Sequence, residues 1–172
     1  MKDNYKDKFN QLEWKTDKKV FQTIIRDGNS QIKRFKELSD VLNRTAINMF
    51  EIETITYQKY LNSLDITANA MLNNFEIAIS LMDNFDNNNF LRIQEYEDNL
   101  ELTEYQVKMC QIYENQIANI RKRIDDNVEL LITLEELTME MLRSSSNTNI
   151  SDKTKKEIKT LIEELKFYKS NS

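Results

Sequence analysis

A single glycine, Gly28, and no proline at all serve a chain of 172 residues. Glycine alone enters positive φ freely, and proline alone locks φ in a turn. Sheet proteins reverse direction every few residues and draw on both. A chain this poor in turn formers reads as all-α, built from a few long helices. Apolar residues make up 40% of it and recur throughout, so it is not disordered. Charged residues make up 31%, a balance usual for coiled coils.

Periodicity divides the chain. Tyr5, Phe9 and Leu12, then Phe21, Ile24 and Ile25, line one face of a first helix over about 3–27. Gly28-Asn29-Ser30 reads as a stop and restart, with glycine at the left-handed C′ position and Asn or Ser as the next N-cap. A second helix is expected over about 30–85. Its rows are Phe35, Leu38, Leu42, Thr45, Met49, Ile52 and Tyr57, Leu61, Leu64, Ala68, Met71, Phe75, Ala78, Met82, Phe85. Both step by 3 and 4, the coiled-coil repeat, but they are out of phase near 52–57, where the stripe rotates or the helix bends. Ser63 or Asp65 offers a further cap, so a break near 62–65 is the alternative. Asp86-Asn87-Asn88-Asn89 is the best turn, at 86–89.

The third helix, about 90–143, continues the repeat through Ile93, Tyr96, Leu100, Val107, Cys110, Tyr113, Ile117, Ile120, Ile124, Leu131, Leu134 and Met141, with Asn127 and Thr138 as polar members of the row. Residues 144–150 read as a linker. A last helix over 151–168 follows, with Ile158, Leu161, Ile162 and Leu165 on one face. The expected architecture is one elongated domain over residues 1–172. It is an antiparallel hairpin with arms of roughly 80 Å, completed at one end by the short first and last helices. That makes a four-helix bundle, or a five-helix bundle if 62–65 breaks.

Charge is uneven. Residues 1–44 carry eleven basic against seven acidic residues, 45–105 two against eleven, and 106–172 eleven of each, for a net −5. A basic stripe for nucleic acid is available only around Lys15, Lys18, Lys19, Lys33, Arg34 and Lys36, and the acidic total argues against that partner. With no histidine, the commonest general base, the catalytic dyads built on it and nearly every zinc or haem site are excluded. One cysteine, Cys110, makes no intrachain disulfide and sits in the apolar row. The lone glycine excludes a phosphate-cradling loop. Glu95, Glu97, Asp98, Glu101 and Glu104 cluster, but without histidine they read as a solvated helix face. Trp14 lies in line with Phe21 and Ile25 and is expected in the core. No enzyme, metal, cofactor or small-molecule substrate is expected. The opening MKDNYKDKFNQ lacks an apolar signal core, and no apolar run reaches the ~18 residues of a membrane span. A soluble, cytoplasmic protein is expected, at most peripheral at membranes. Plentiful Asn, Ile, Lys and Tyr with sparse Ala and Arg fit the codon bias of an AT-rich genome.

Phe21-x-x-Ile24, Ile32-Lys33-Arg34-Phe35-Lys36-Glu37-Leu38, Ile47-x-Met49 and Tyr57-x-x-Tyr60-Leu61 resemble the opening helix of BAR-type coiled coils. Tyr113-Glu114-Asn115 with Ile120-Arg121-Lys122-Arg123 is similar to the middle of the sorting-nexin kind. The resemblance spans about 20–125. It implies a crescent dimer that binds curved membrane in trafficking, through Lys33, Arg34, Arg121, Lys122 and Arg123. The short chain and its acidic middle depart from that pattern, since an anionic membrane repels acidic surfaces. Two functions are therefore in view. The leading one is a non-enzymatic interaction scaffold that assembles with itself or a protein partner through a seam of Leu42, Met49, Phe50, Ile55, Tyr57 and Leu61. The alternative is the BAR-like membrane-binding dimer.

Overall fold

The computed structural model describes residues 4–12, 18–49, 55–97, 102–145 and 156. Every secondary-structure element among them is helical. α1 spans Asn4–Gln11, and a 3-10 turn at Lys19–Phe21 leads into α2, Gln22–Met49. α3 is Ile55–Asp83, α4 is Asn87–Glu97, and α5 is Glu104–Ser145. At ~1.5 Å per residue α5 is about 63 Å long, half as long again as α2 or α3.

The side-chain pairings give the topology. Phe21 meets Phe85 (ring centroids 5.0 Å apart), while Phe9 of α1 bridges Phe35 of α2 and Phe75 of α3 at 5.3 and 6.2 Å. α2 and α3 are therefore antiparallel. Phe85 also packs on Tyr113 at 5.3 Å, and Asn74 donates to Asn127 at 2.9 Å, so α5 is antiparallel to α3. Gln31 donates to the Ile124 carbonyl at 2.9 Å and Arg34 pairs with Glu135, so α5 runs parallel to α2. The result is an up-down-up three-helix bundle with α5 as the common partner. α1 lies on α3, and α4 lies against the first part of α5.

The all-α bundle is as expected, and a break at Asn84–Asp86 adjoins the expected 86–89 turn, but other joints differ: the expected first helix over 3–27 is instead α1, which ends at Gln11, and the 3-10 turn and start of α2. The chain reverses between Met49 and Ile55, at the phase slip, so 30–85 is two helices side by side rather than one long arm. Gly28 is buried inside α2 and caps nothing. Its missing Cβ lies on the packed face, where a close approach favours it. The 62–65 break is absent. Ser63 is buried within α3, and its carbonyl accepts from the Thr67 hydroxyl at 2.9 Å, which satisfies that side chain inside the helix. Asn87–Asn89 is helix rather than turn, because Asp86 acts as the N-cap and accepts from the Asn89 N–H at 3.0 Å. α5 starts at a capping box: the Thr103 N–H reaches Gln106 Oε1 at 2.8 Å, and the Gln106 N–H reaches Thr103 Oγ1 at 3.3 Å. Ser144 and Ser145 end α5 rather than opening a linker. Residues 146–150, Trp14, Lys15 and the expected last helix, apart from Lys156, lie outside the described residues.

Candidate interaction surface

Of the six expected seam residues, none is shown on an open face. Leu42 is 0% exposed and belongs to the core between the chain's own helices. It is therefore corrected from partner seam to internal packing. Met49, Tyr57 and Leu61 are half-buried, and Met49 and Tyr57 pack on the core. Phe50 lies outside the described residues, as does the Ile55 side chain.

The basic candidates are partly used up within the fold. Arg34 pairs with Glu135 and Glu37, and the hydrogen bond to Glu135 pushes its pKa further above its already high ordinary value. Lys122 pairs with Asp126 at 3.6 Å. Lys18 donates to the carbonyls of Met82 and Asp83 at 2.6 and 3.2 Å, placing a positive charge on the negative end of α3. Lys36 ties α1 to α2 through Asn10 at 2.8 Å. Lys19, Lys33 and Arg121 are exposed, and Arg123 is half-buried. Glu95 and Glu104 are exposed, and Glu104 pairs with Lys108 at 2.7 Å. No cluster of three or more His, Cys, Asp or Glu suited to a metal occurs among the described residues. Cys110 is half-buried against the core. No described helix is long and apolar enough to cross a membrane.

Most of the exposed large apolar side chains among the described residues lie on α5, with Ile47, Leu81 and Leu91 exposed on α2, α3 and α4. The first two turns of α5, Glu104–Ile112, run past the layer where Phe21, Phe85 and Tyr113 meet, leaving them flanked by α4. Within α5, Tyr105, Met109 and Ile112 step by 4 and 3, so they share a face, and Leu102 lies just before the Thr103 cap. Tyr105 is 70% exposed and Ile112 47%. Leu102 is half-buried, and Met109 is half-buried with its side chain packed on the core. A second exposed row, Val128, Ile132, Met139 and Leu142, runs along the other end of α5. Sequence periodicity missed both rows because each lies beside a more regular buried row on the same helix.

No family model, curated protein or solved structure matches this chain.

Two buried polar features mark the core. Asn74 and Asn127 are fully buried and share one amide hydrogen bond. Asn74 Oδ1, Asn127 Nδ2 and Gln31 Oε1 have no partner among the described residues. At the far end, burial pushes the Tyr60 phenol well above its ordinary pKa, and the nearby Glu140 charge adds to this. The fold thus prefers neutral Tyr60. The associated stability is full below the unfolded-state pKa of about 10 and is lost as pH rises above it. Urea midpoints should fall above about pH 10, and Tyr60→Phe should flatten that fall. An equally steep fall in both proteins would assign it to other groups.

Proposed function

We propose that this protein is a non-enzymatic helical interaction module. It docks a helix of a partner, or of a second copy, against the projecting start of α5. The observation that carries this reading is the exposed pair Tyr105 and Ile112 on one face of α5, beyond the layer where Phe21, Phe85 and Tyr113 meet. A large aromatic side chain open to water at this position favours a binding role, since tyrosine supplies contact area at low entropic cost. The absence of histidine removes the commonest general base and supports a role in binding.

The test is sedimentation over a wide concentration range, with the same chain as bait for partners. Association is expected. Replacing Tyr105 and Ile112 together by glutamate should weaken it at least tenfold while leaving helical circular dichroism unchanged, because neither side chain is in the core. A chain that stays monomeric and retains no partner, or association indifferent to both substitutions, would overturn the proposal. The membrane alternative rests on the exposed Lys33 and Arg121, and vesicle flotation with anionic lipid at low salt decides it.

A further inference from the structure

Three buried polar side chains, one from each helix of the bundle, converge on one turn of α5. Gln31 of α2 is 8% exposed, and Asn74 of α3 and Asn127 of α5 are fully buried. Gln31 Nε2 donates to the Ile124 carbonyl at 2.9 Å, and Asn74 Nδ2 donates to Asn127 Oδ1 at 2.9 Å. Ile124 and Asn127 lie on one face, about 4.5 Å apart along the axis. A helical carbonyl points toward the C-terminus of its helix. The Ile124 oxygen, and the Gln31 amide bound to it, therefore lie on the side toward Asn127.

Each of the three side chains keeps one polar atom without a partner among the described residues: Gln31 Oε1, Asn74 Oδ1 and Asn127 Nδ2. Buried polar atoms are nearly always hydrogen-bonded, because leaving one desolvated and unbonded is costly. The set is two acceptors and one donor. The Gln31 amide cannot be turned over, since the Ile124 carbonyl needs its N–H. Turning both asparagine amides over exchanges their roles and leaves the same count.

That count selects the occupant. A cation would be repelled by the Asn127 N–H, and an anion by the two carbonyl oxygens. A small neutral molecule that donates twice and accepts once fits all three atoms, and a buried water typically makes about three such bonds. The row also gives up volume at this layer, because a planar amide is smaller than the side chains of Leu131 and Leu134 beside it.

We propose that this layer binds one water molecule, which donates to Gln31 Oε1 and Asn74 Oδ1 and accepts from Asn127 Nδ2. The direct hydrogen bonds tie α2 to α5 and α3 to α5. The water closes the third side, α2 to α3. The site lies in the core, away from the start of α5, so this proposal and the proposed function fail separately.

The test is solution NMR of the full chain. The side-chain amide protons of Gln31, Asn74 and Asn127 should show rotating-frame cross-peaks to water, with the sign of direct contact rather than of proton exchange. Oxygen-17 relaxation dispersion of the solvent should contain a long-lived component. Asn74→Leu with Asn127→Leu removes two of the three bonding partners, and release of the water returns its immobilisation entropy, so the bundle can keep its fold. That double variant should lose the Gln31 cross-peak and part of the dispersion amplitude. Gln31→Met, similar in length but without the amide, should weaken the Asn127 cross-peak severalfold, and it serves if the double variant does not fold. Absence of direct contact at Gln31 or at the asparagine pair would mean that no shared water joins them, and overturns the proposal. Cross-peaks and dispersion unchanged in the variants would place the water elsewhere, and overturn it too.

Discussion

Phe85→Ala is expected to lower unfolding free energy by about 3–5 kcal/mol, the range for truncating a buried aromatic. Phe85 is 3% exposed, and three rings surround it: Phe21 at 5.0 Å, Phe90 at 5.3 Å and Tyr113 at 5.3 Å. These rings come from the 3-10 turn, α4 and α5, while Phe85 itself lies in the connection from α3 to α4, so one truncation loosens several segments at once. Phe90 also packs on Tyr113 at 5.7 Å, and Asn89 donates to the Tyr113 hydroxyl at 2.8 Å, which keeps the remaining groups from collapsing freely into the gap. A cavity that cannot collapse lies at the costly end of the range. Against a total of about 5–15 kcal/mol for a domain, the loss should approach complete unfolding at moderate urea. Phe85→Leu, which keeps most of the volume, should cost far less. An alanine variant within about 1 kcal/mol of the parent in urea titration would mean that the aromatic layer does not hold this end together.

The Asn74–Asn127 pair should behave in the opposite sense when both members are changed. Asn127→Leu alone leaves the Asn74 amide buried without its hydrogen bond, a loss of about 1–3 kcal/mol. Replacing both by leucine removes the stranded amide and fills the layer with hydrocarbon, so the double variant should regain that loss and equal or exceed the parent. The pair already leaves Asn74 Oδ1 and Asn127 Nδ2 without partners among the described residues, so little favourable bonding is forfeited. What the pair supplies is register. Only one sliding position of α3 on α5 lets the two amides meet, as buried asparagines do in coiled coils. The double variant should therefore be stable but less uniquely packed, with broader side-chain NMR signals. A four-way cycle of urea midpoints checks this, and a double variant as weak as Asn127→Leu would refute it.

Much of this core is visible in the sequence. The row through Ile120, Ile124, Leu131, Leu134 and Met141 is buried along α5, and its polar members Asn127 and Thr138 are buried with it. The Thr138 hydroxyl donates to the Leu134 carbonyl at 2.7 Å, which lets it occupy an apolar position. Register along a helix survives in sequence because it depends on spacing alone. What covers a row does not, and this is why Leu42 reads as a seam although the chain itself encloses it. The antiparallel pairing of α2 and α3 leaves only a phase slip in the sequence, and a slip fits rotation, bending and reversal equally. Gly28 misleads because a buried helical glycine and a helix-ending one look alike until a neighbour is placed beside it. Thr103-x-x-Gln106 was a legible start signal for α5, masked by the apolar row running on either side of it. Of the candidate surface, Tyr105 and Ile112 were hidden for another reason: their exposure follows from the length by which α5 outruns α2 and α3.

That α5 packs against both α2 and α3, and follows them in chain order, has a consequence for the nascent protein. α2 and α3 leave the ribosome with one flank each still waiting for Ile124, Leu131, Leu134 and Met141. At translation rates of about 5–20 residues per second, the wait from Asp83 to Ser145 is on the order of seconds. For that interval the ribosome-bound α2–α3 pair presents an apolar flank to water, the kind of surface on which nascent chains aggregate or recruit chaperones.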